Sequence, residues 1–185
     1  MLKIGISRID KIIRGCNSVE LEGNWLNNIQ LLARIINYTS RRGIVHITIH
    51  NSGKYIDIYE LYSELEPLLR ESVNTTILWE NSVEAISYQP LLLDRVERGY
   101  FYIILPYDRT LLLQPETTYL YLLAKHLKIA HKKGWYVIMI NPYVSKSRRG
   151  LFIADATLRL WFGGDEVLVE VLNIKKSELL PVLIK

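Results

Sequence analysis

The sequence predicts a single α/β domain, residues 1–185, with a mostly parallel central sheet, helices on both faces and a C-terminal antiparallel hairpin. Short apolar runs rich in β-branched or aromatic residues alternate with helical patterns, which is typical of β-α-β units. After residue 150 the pattern changes to two alternating strands about a Gly-Gly-Asp turn, as in a hairpin. With 49% hydrophobic and 23% charged residues, the chain has the composition of a globular domain.

Five apolar runs are predicted as the strands of the parallel part of the sheet. In chain order they are SVELEG (18–23), IVHITIH (44–50), TTILWE (75–80), FYIILP (101–106) and WYVIMI (135–140). Their lengths fit buried strands. Residues 156–174, ATLRLWFGGDEVLVEVLNI, form the predicted hairpin at one edge of the sheet.

Apolar residues at helical spacing predict that helices connect these strands. After the first strand the apolar positions are Ile29, Leu32, Ala33 and Ile36, and before the fifth they are Leu120, Leu123, Ala124, Leu127 and Ala130. Residues 56–71 predict another helix, bent or ended near Pro67. Residues 82–99 predict a helix interrupted at Pro90.

The net charge and the cysteine content indicate which partners and which cellular compartment to expect. The net charge of +4 and the pI near 9.1 favour polyanionic partners weakly. Cys16 is the only cysteine, so no internal disulfide can form, which favours a reducing cytoplasm. The sequence contains neither a signal-peptide pattern nor an apolar stretch long enough for a membrane span, so no membrane association is expected.

The connection after the first strand lies where many nucleotide-binding folds place a phosphate loop. Such a loop needs glycines whose backbone N–H groups converge on phosphate, a lysine, and a Ser or Thr hydroxyl for magnesium. Here Gly23 supplies one glycine, but NWLNNIQ follows it, with bulky Trp25 and no cation. In any register the lysine and hydroxyl positions fall on Asn27, Asn28, Ile29 or Gln30.

Three segments, GISRIDKIIRG (5–15), residues 122–144 and residues 156–185, together with the order of the elements, resemble the core of the RecA/RadA recombinase family. GISRIDKIIRG (5–15) is similar to the segment that precedes the family's phosphate-loop strand. Residues 122–144 resemble the helix and strand that end at the family's Asn-Gln position, with Asn141 matching and Pro142 replacing glutamine. Residues 156–185 resemble the closing hairpin and final strand. The resemblance implies a RecA-like three-layer domain.

The resemblance also shows which catalytic parts are missing. Pro106 stands where the family has a magnesium-positioning Asp, with Asp108 the nearest carboxylate, and His50 or Asn51 stands where a water-activating Glu is expected. We therefore expect no ATPase activity and no cofactor, since each part is worth orders of magnitude in rate. The degenerate nucleotide site would comprise Gly23, Asn27, Asn28 and Asp108, with Trp25 buried where active relatives hold phosphate.

The resemblance places DNA at two loops. The loop after the fifth strand carries a cation cluster beside an aromatic ring, which suits phosphate contact with base stacking. Its residues are Tyr143, Lys146, Arg148 and Arg149, and the loop after the fourth strand adds Tyr107 and Arg109. Lys125, Lys128 and Lys132 form a secondary basic helix face, for which an ordinary solvated surface is the alternative.

Other chemistry is not supported. His46 and His50 are about 13 Å apart along a strand, too far for one metal, and His126 and His131 are five residues apart on a helix, so no metal site is expected. No Ser lies in a G-x-S-x-G elbow, and Cys16 has no neighbouring cation or histidine in sequence. The acidic residues Asp57, Glu60, Glu64 and Glu66 predict that the sides of the domain differ in charge.

These features predict a non-catalytic RecA/RadA-like accessory protein of homologous recombination or DNA repair. Its expected partners are single- or double-stranded DNA, a RadA-type recombinase or another paralogue. Two alternatives remain open at this point. One is a protein-interaction scaffold without DNA binding, and the other is a diverged nucleotide-binding ATPase that uses Asp108 and backbone contacts.

Overall fold

The computed structural model describes residues 1–50, 58–71, 73–78, 99–104, 124–125, 127–141, 154–163 and 166–174. In this part of the chain, seven strands form one sheet in the order β3-β2-β4-β5-β1-β6-β7. Their bounds are β1 Ser18–Gly23, β2 Ile44–His50, β3 Val73–Leu78, β4 Gly99–Ile104, β5 Tyr136–Asn141, β6 Ala156–Gly163 and β7 Glu166–Ile174. Every pairing is parallel except β6 with β7. The predicted α/β class and the C-terminal antiparallel pair are confirmed.

The described helices are α1 Ser7–Ile12, α2 Ile29–Ser40 and α3 Ile58–Leu65, and residues 124–125 and 127–132 are also helical. The helix α3 passes into a 3-10 turn at Glu66–Leu68, as Pro67 predicts. The helix predicted at residues 82–99 lies almost wholly outside the described residues. Among the described helices, none combines the length and the apolar composition needed to cross a membrane.

The first face of the sheet carries the main hydrophobic core. Val19, Leu21 and Ile138 point to this face and pack in one cluster with buried residues of α1 and α2. The positions predicted for the apolar stripe of α2 are all buried, namely Ile29, Leu32, Ala33 and Ile36. The helices α1 and α2 therefore cover this face, and α3 packs against α2 on the same side.

The second face is covered by the helical residues 127–132. Ser18 and Val137, which alternate with the core residues of β1 and β5, line a cavity together with Leu127. Leu127 and Ala130 are buried, as predicted. Ala124 is exposed, contrary to the expectation that it belongs to the apolar stripe, and Leu120 and Leu123 lie outside the described residues. Right-handed crossovers from β1 to β2 and from β4 to β5 require helices on opposite faces, because the two connections move in opposite directions along the sheet.

Candidate functional site

The connection after β1 is closed by the side chain of Trp25. This residue begins a 3-10 turn, Trp25–Asn28, that leads directly into α2. Its indole is 0% exposed, its Nε1–H donates to the carbonyl oxygen of Leu21 at 3.2 Å, and its ring meets that of Phe162 on β6 edge-on at 5.2 Å. The predicted burial of Trp25 is confirmed, and the indole fills the space between the connection and β6.

The packing of β6 accounts for Gly23, the last residue of β1. A Cβ atom at this position would lie 3.0 Å from Cε2 of Phe162 and 3.1 Å from the carbonyl oxygen of Leu160. Both distances are tighter than ordinary contact, so a side chain would push against the neighbouring strand. The structure thus gives Gly23 a packing role that does not involve a ligand.

Asn27 and Asn28 each donate a hydrogen bond to a backbone oxygen of the same connection. The backbone N–H of Asn27 donates to the carbonyl oxygen of Asn24 at 3.3 Å, and Nδ2 of Asn28 donates to the same oxygen at 3.4 Å. A phosphate site needs such groups free to converge on the anion. These two donors are therefore engaged within the connection, while Asp108 of the predicted degenerate site lies outside the described residues.

The residues predicted to contact DNA lie outside the described part of the chain. These residues are Tyr107, Arg109, Tyr143, Lys146, Arg148 and Arg149. The strands that lead into both loops are described. Strand β4 ends at Ile104 and β5 at Asn141, and these two parallel strands are direct neighbours, with Ile104 opposite Ile140. The chain therefore enters both predicted loops from adjacent strand ends at the carboxyl edge of the sheet, where α/β proteins usually bind ligands.

The predicted secondary basic face lies on the helical segment that covers the second face of the sheet. Lys125, Lys128 and Lys132 are all exposed, and His131 is exposed beside them. Leu127 and Ala130 of the same segment are buried. The lysines thus occupy the solvent side of this segment, an arrangement that both a solvated surface and a polyanion contact would show.

A buried polar layer on the second face of the sheet was not predicted. Glu20 and Glu22 of β1 are fully buried and lie opposite Thr157 and Arg159 of β6. Thr157 Oγ1 donates to Oε2 of Glu20 at 3.2 Å. Arg159 Nη2 donates to Oε1 and Oε2 of Glu22 at 3.0 and 3.1 Å. Asn141 of β5 is also buried and lies opposite Glu22 of β1. The amide of Asn141, the carboxylate of Glu22 and the guanidinium of Arg159 thus form one row across β5, β1 and β6.

Charge compensation explains how this row tolerates burial. The guanidinium of Arg159 is paired with Glu22 and lies 3.8 Å from Glu170 on β7, and a buried charge without a partner would cost several kcal/mol, on the order of 3 to 5. Within the described residues, Nε of Arg159 has no hydrogen-bond partner. The sequence contains one signal for this polar layer: apolar and polar residues alternate both in VELEG of β1 and in TLRL of β6.

The acidic residues on α3 form a separate exposed surface. Glu60, Glu64 and Glu66 are exposed, and Asp57 lies outside the described residues. The hydroxyl of Tyr62 donates to Oε1 of Glu66 at 2.5 Å, and this hydrogen bond raises the pKa of Tyr62. Because α3 packs against α2, this acidic surface lies on the first face of the sheet, on the same side as the arginines of α2.

Comparison with known proteins gives no further assignment. No protein-family model matches this chain, and a search of curated proteins found no match either. Support for a function therefore comes from the residues and their geometry.

Proposed function

We propose that this protein is a non-catalytic RecA/RadA-like accessory factor of homologous recombination or DNA repair, which binds DNA, a RadA-type recombinase or both. The mostly parallel sheet with its closing antiparallel pair agrees with the arrangement that the sequence resemblance implies. That agreement supports the family assignment, and the state of the connection after β1 supports the absence of catalysis.

The buried indole of Trp25 is the observation that carries the non-catalytic part of the proposal. In a working phosphate loop the strand-to-helix connection must leave room for phosphate oxygens and direct backbone N–H groups at them. Here the Trp25 ring of the connection packs against Phe162, and two donors, of Asn27 and Asn28, bond within the turn. A nucleotide that entered the connection itself would have to displace a packed tryptophan.

The loops after β4 and β5 support the DNA-binding part. They start from neighbouring strand ends, and the second contains Lys146, Arg148 and Arg149 within four residues. Like charges so close together in sequence repel one another unless an anion neutralises them. Tyr143 adds a ring on which a base can stack. Binding should then depend weakly on sequence and strongly on salt.

Titration of DNA at several salt concentrations tests this proposal. Replacing Lys146, Arg148 and Arg149 by Ala should flatten the slope of log K against log salt by roughly two to three units, because each cation neutralises about one phosphate. Replacing Lys125, Lys128 and Lys132 removes the same charge from the helix on the second face and serves as the control. An equal loss in both variants would assign the binding to net charge, and no binding by the parent protein at low salt would favour the interaction scaffold.

A further inference from the structure

The outer surface of α2 forms one wall of a groove lined by three arginines. The groove has a volume of about 710 Å³ and lies between α2, the N-terminal residues 4–6 and the segment that precedes β3. Arg34 contributes from α2, Arg41 contributes from the position directly after α2, and Arg70 contributes from the opposite wall. All three side chains are exposed.

The side chain of Asn37 fixes the two walls of the groove relative to each other. Its Nδ2 donates to the carbonyl oxygen of Leu68 at 2.7 Å, and its Oδ1 accepts the backbone N–H of Arg70 at 3.0 Å. These two bonds hold the backbone of the segment that carries Arg70 against α2. The position of Arg70 is therefore set by the fold, although its side chain remains accessible.

The aromatic ring of Tyr38 lines the groove and is held in place by close packing. A Cβ atom at Gly5 would lie 2.6 Å from Cγ of the Tyr38 ring, and Gly5 has a φ of +84° that favours glycine. The ring thus packs closely on the backbone of the N-terminal segment. The guanidinium of Arg42, two residues after the end of α2, lies 4.7 Å from the centroid of the Tyr38 ring and adds a fourth cation beside the groove.

The charge of the groove is not compensated within the described residues. Its lining contains no carboxylate, and among the described residues no carboxylate forms an ion pair with Arg34, Arg41 or Arg70. Residues 1–50 contain seven Lys and Arg against three Asp and Glu. Two of these carboxylates, Glu20 and Glu22, are buried on the second face of the sheet, and Asp10 accepts the backbone N–H of Ile4 at 2.7 Å. The groove lining therefore carries positive charge, while the carboxylates Glu60, Glu64 and Glu66 of the α3 segment lie beside it on the same face of the sheet.

We propose that this arginine groove binds the phosphate backbone of a nucleic acid, as a second contact surface in addition to the loop after β5. The inference rests on the proposed DNA binding and extends it to a described surface. Arg34 and Arg41 lie seven residues apart, about 10 Å along the helix axis, so they suit successive backbone phosphates better than a single phosphate group. Guanidinium groups match phosphate oxygens in bidentate geometry, and Tyr38 offers a ring beside them.

The test is the salt dependence of DNA binding by a variant with Arg34→Gln, Arg41→Gln and Arg70→Gln. We expect the slope of log K against log salt to flatten by roughly two to three units. The matched control is Lys125→Gln, Lys128→Gln and Lys132→Gln, which removes equal charge from the other face and should change the slope less. Because the three arginines are exposed, both variants should keep the melting temperature of the parent protein. Protection of these arginines by DNA against phenylglyoxal modification of the parent protein provides a measurement without substitutions.

The outcomes separate this inference from the proposed function. Parent-like binding by the arginine variant, with binding lost in the Lys146, Arg148 and Arg149 variant, would overturn the groove and leave the proposed function standing. Loss in the arginine variant alone would support the groove and reject the loop. Absence of DNA binding by the parent protein would overturn both. A concentration-dependent increase in mass that the arginine variant abolishes, without DNA protection, would instead assign the groove to a second copy of this chain.

Discussion

At the scale of single residues, Trp25 is the largest of the fully buried side chains that the structure describes. It is fully buried, donates a hydrogen bond to Leu21 and packs edge-on against Phe162. Trp25→Ala should lower the free energy of unfolding by about 3 to 5 kcal/mol, because it leaves a cavity between the connection and β6. Urea denaturation of the two proteins measures this difference.

Trp161 is the matched control, since it lies on the neighbouring strand and is 46% exposed. Its Nε1–H donates to Glu170, and the Arg159 guanidinium lies 5.8 Å from its ring. Trp161→Ala should therefore cost about 1 kcal/mol or less. Equal losses in the two variants would contradict the structural role given to Trp25.

His46 on β2 links stability to pH. Burial lowers the pKa of His46 below its ordinary value of 6.5. The unfolded chain therefore takes up a proton at higher pH than the folded chain, and between the two pKa values the unfolded state binds more protons. The free energy of unfolding should fall as the pH drops below about 6.5, and this contribution should level off below the folded pKa.

The measurement is the free energy of unfolding from about pH 7.5 to pH 5, a range in which few side chains other than histidine titrate. His46→Asn should flatten the dependence on pH, whatever its effect on stability at neutral pH. His131→Asn, at an exposed position of the helical residues 127–132, is the control. An unchanged slope for His46→Asn would show that another group titrates in this range.

At the scale of elements, the sequence predicted the existence of the strands more accurately than their first residues. The bounds of β1, β2 and the C-terminal hairpin agree with the predictions. Strand β4 starts two residues early, at Gly99, which pairs with Ile44. A Cβ atom at Gly99 would lie 2.0 Å from the carbonyl oxygen of Ile44, so close approach between strands selects this glycine. Strand propensity does not report such an approach, because it arises only when the sheet assembles.

The buried polar layer on the second face could not be predicted from β1 alone. Alternation of Glu20 and Glu22 with Val19 and Leu21 is typical of a strand with one face in water. Both faces of β1 are buried instead, because helices cover both sides of the sheet. The partners Thr157 and Arg159 are supplied by the pairing of β1 with β6, which brings together residues 137 positions apart.

This polar layer also fixes the register between β1 and β6. A slip of β1 by one residue against β6 would turn Glu22 onto the apolar first face, opposite Leu158 or Leu160, and would leave Arg159 on the second face without its partner. Two charges without partners would then be buried, one on each face of the sheet, at a cost on the order of several kcal/mol each. The ion pair thus disfavours the wrong register more than it stabilises the correct one.

At the scale of the whole molecule, the charges of the described residues do not separate into the acidic and the basic side that the sequence predicted. The acidic residues of α3 and the arginine groove of α2 both lie over the first face of the sheet. Glu64 and Arg34 line one cavity near the end of the β1 connection. The exposed lysines of residues 125–132 lie over the second face. Helix α3 therefore forms an acidic border beside the groove, which would confine a polyanion to α2.

The final prediction concerns nucleotides, which distinguish an accessory protein from a diverged ATPase. A ligand present at one hundred times its dissociation constant stabilises a folded protein by about 2.7 kcal/mol, which is visible as a rise in melting temperature. We expect no rise with magnesium and ATP or ADP, because Trp25 fills the connection, and the donors of Asn27 and Asn28 bond to Asn24. Thermal melts with and without nucleotide provide the measurement. A rise that Asp108→Ala abolishes would instead identify a nucleotide site that uses this carboxylate, and turnover lost in the same variant would establish the ATPase alternative.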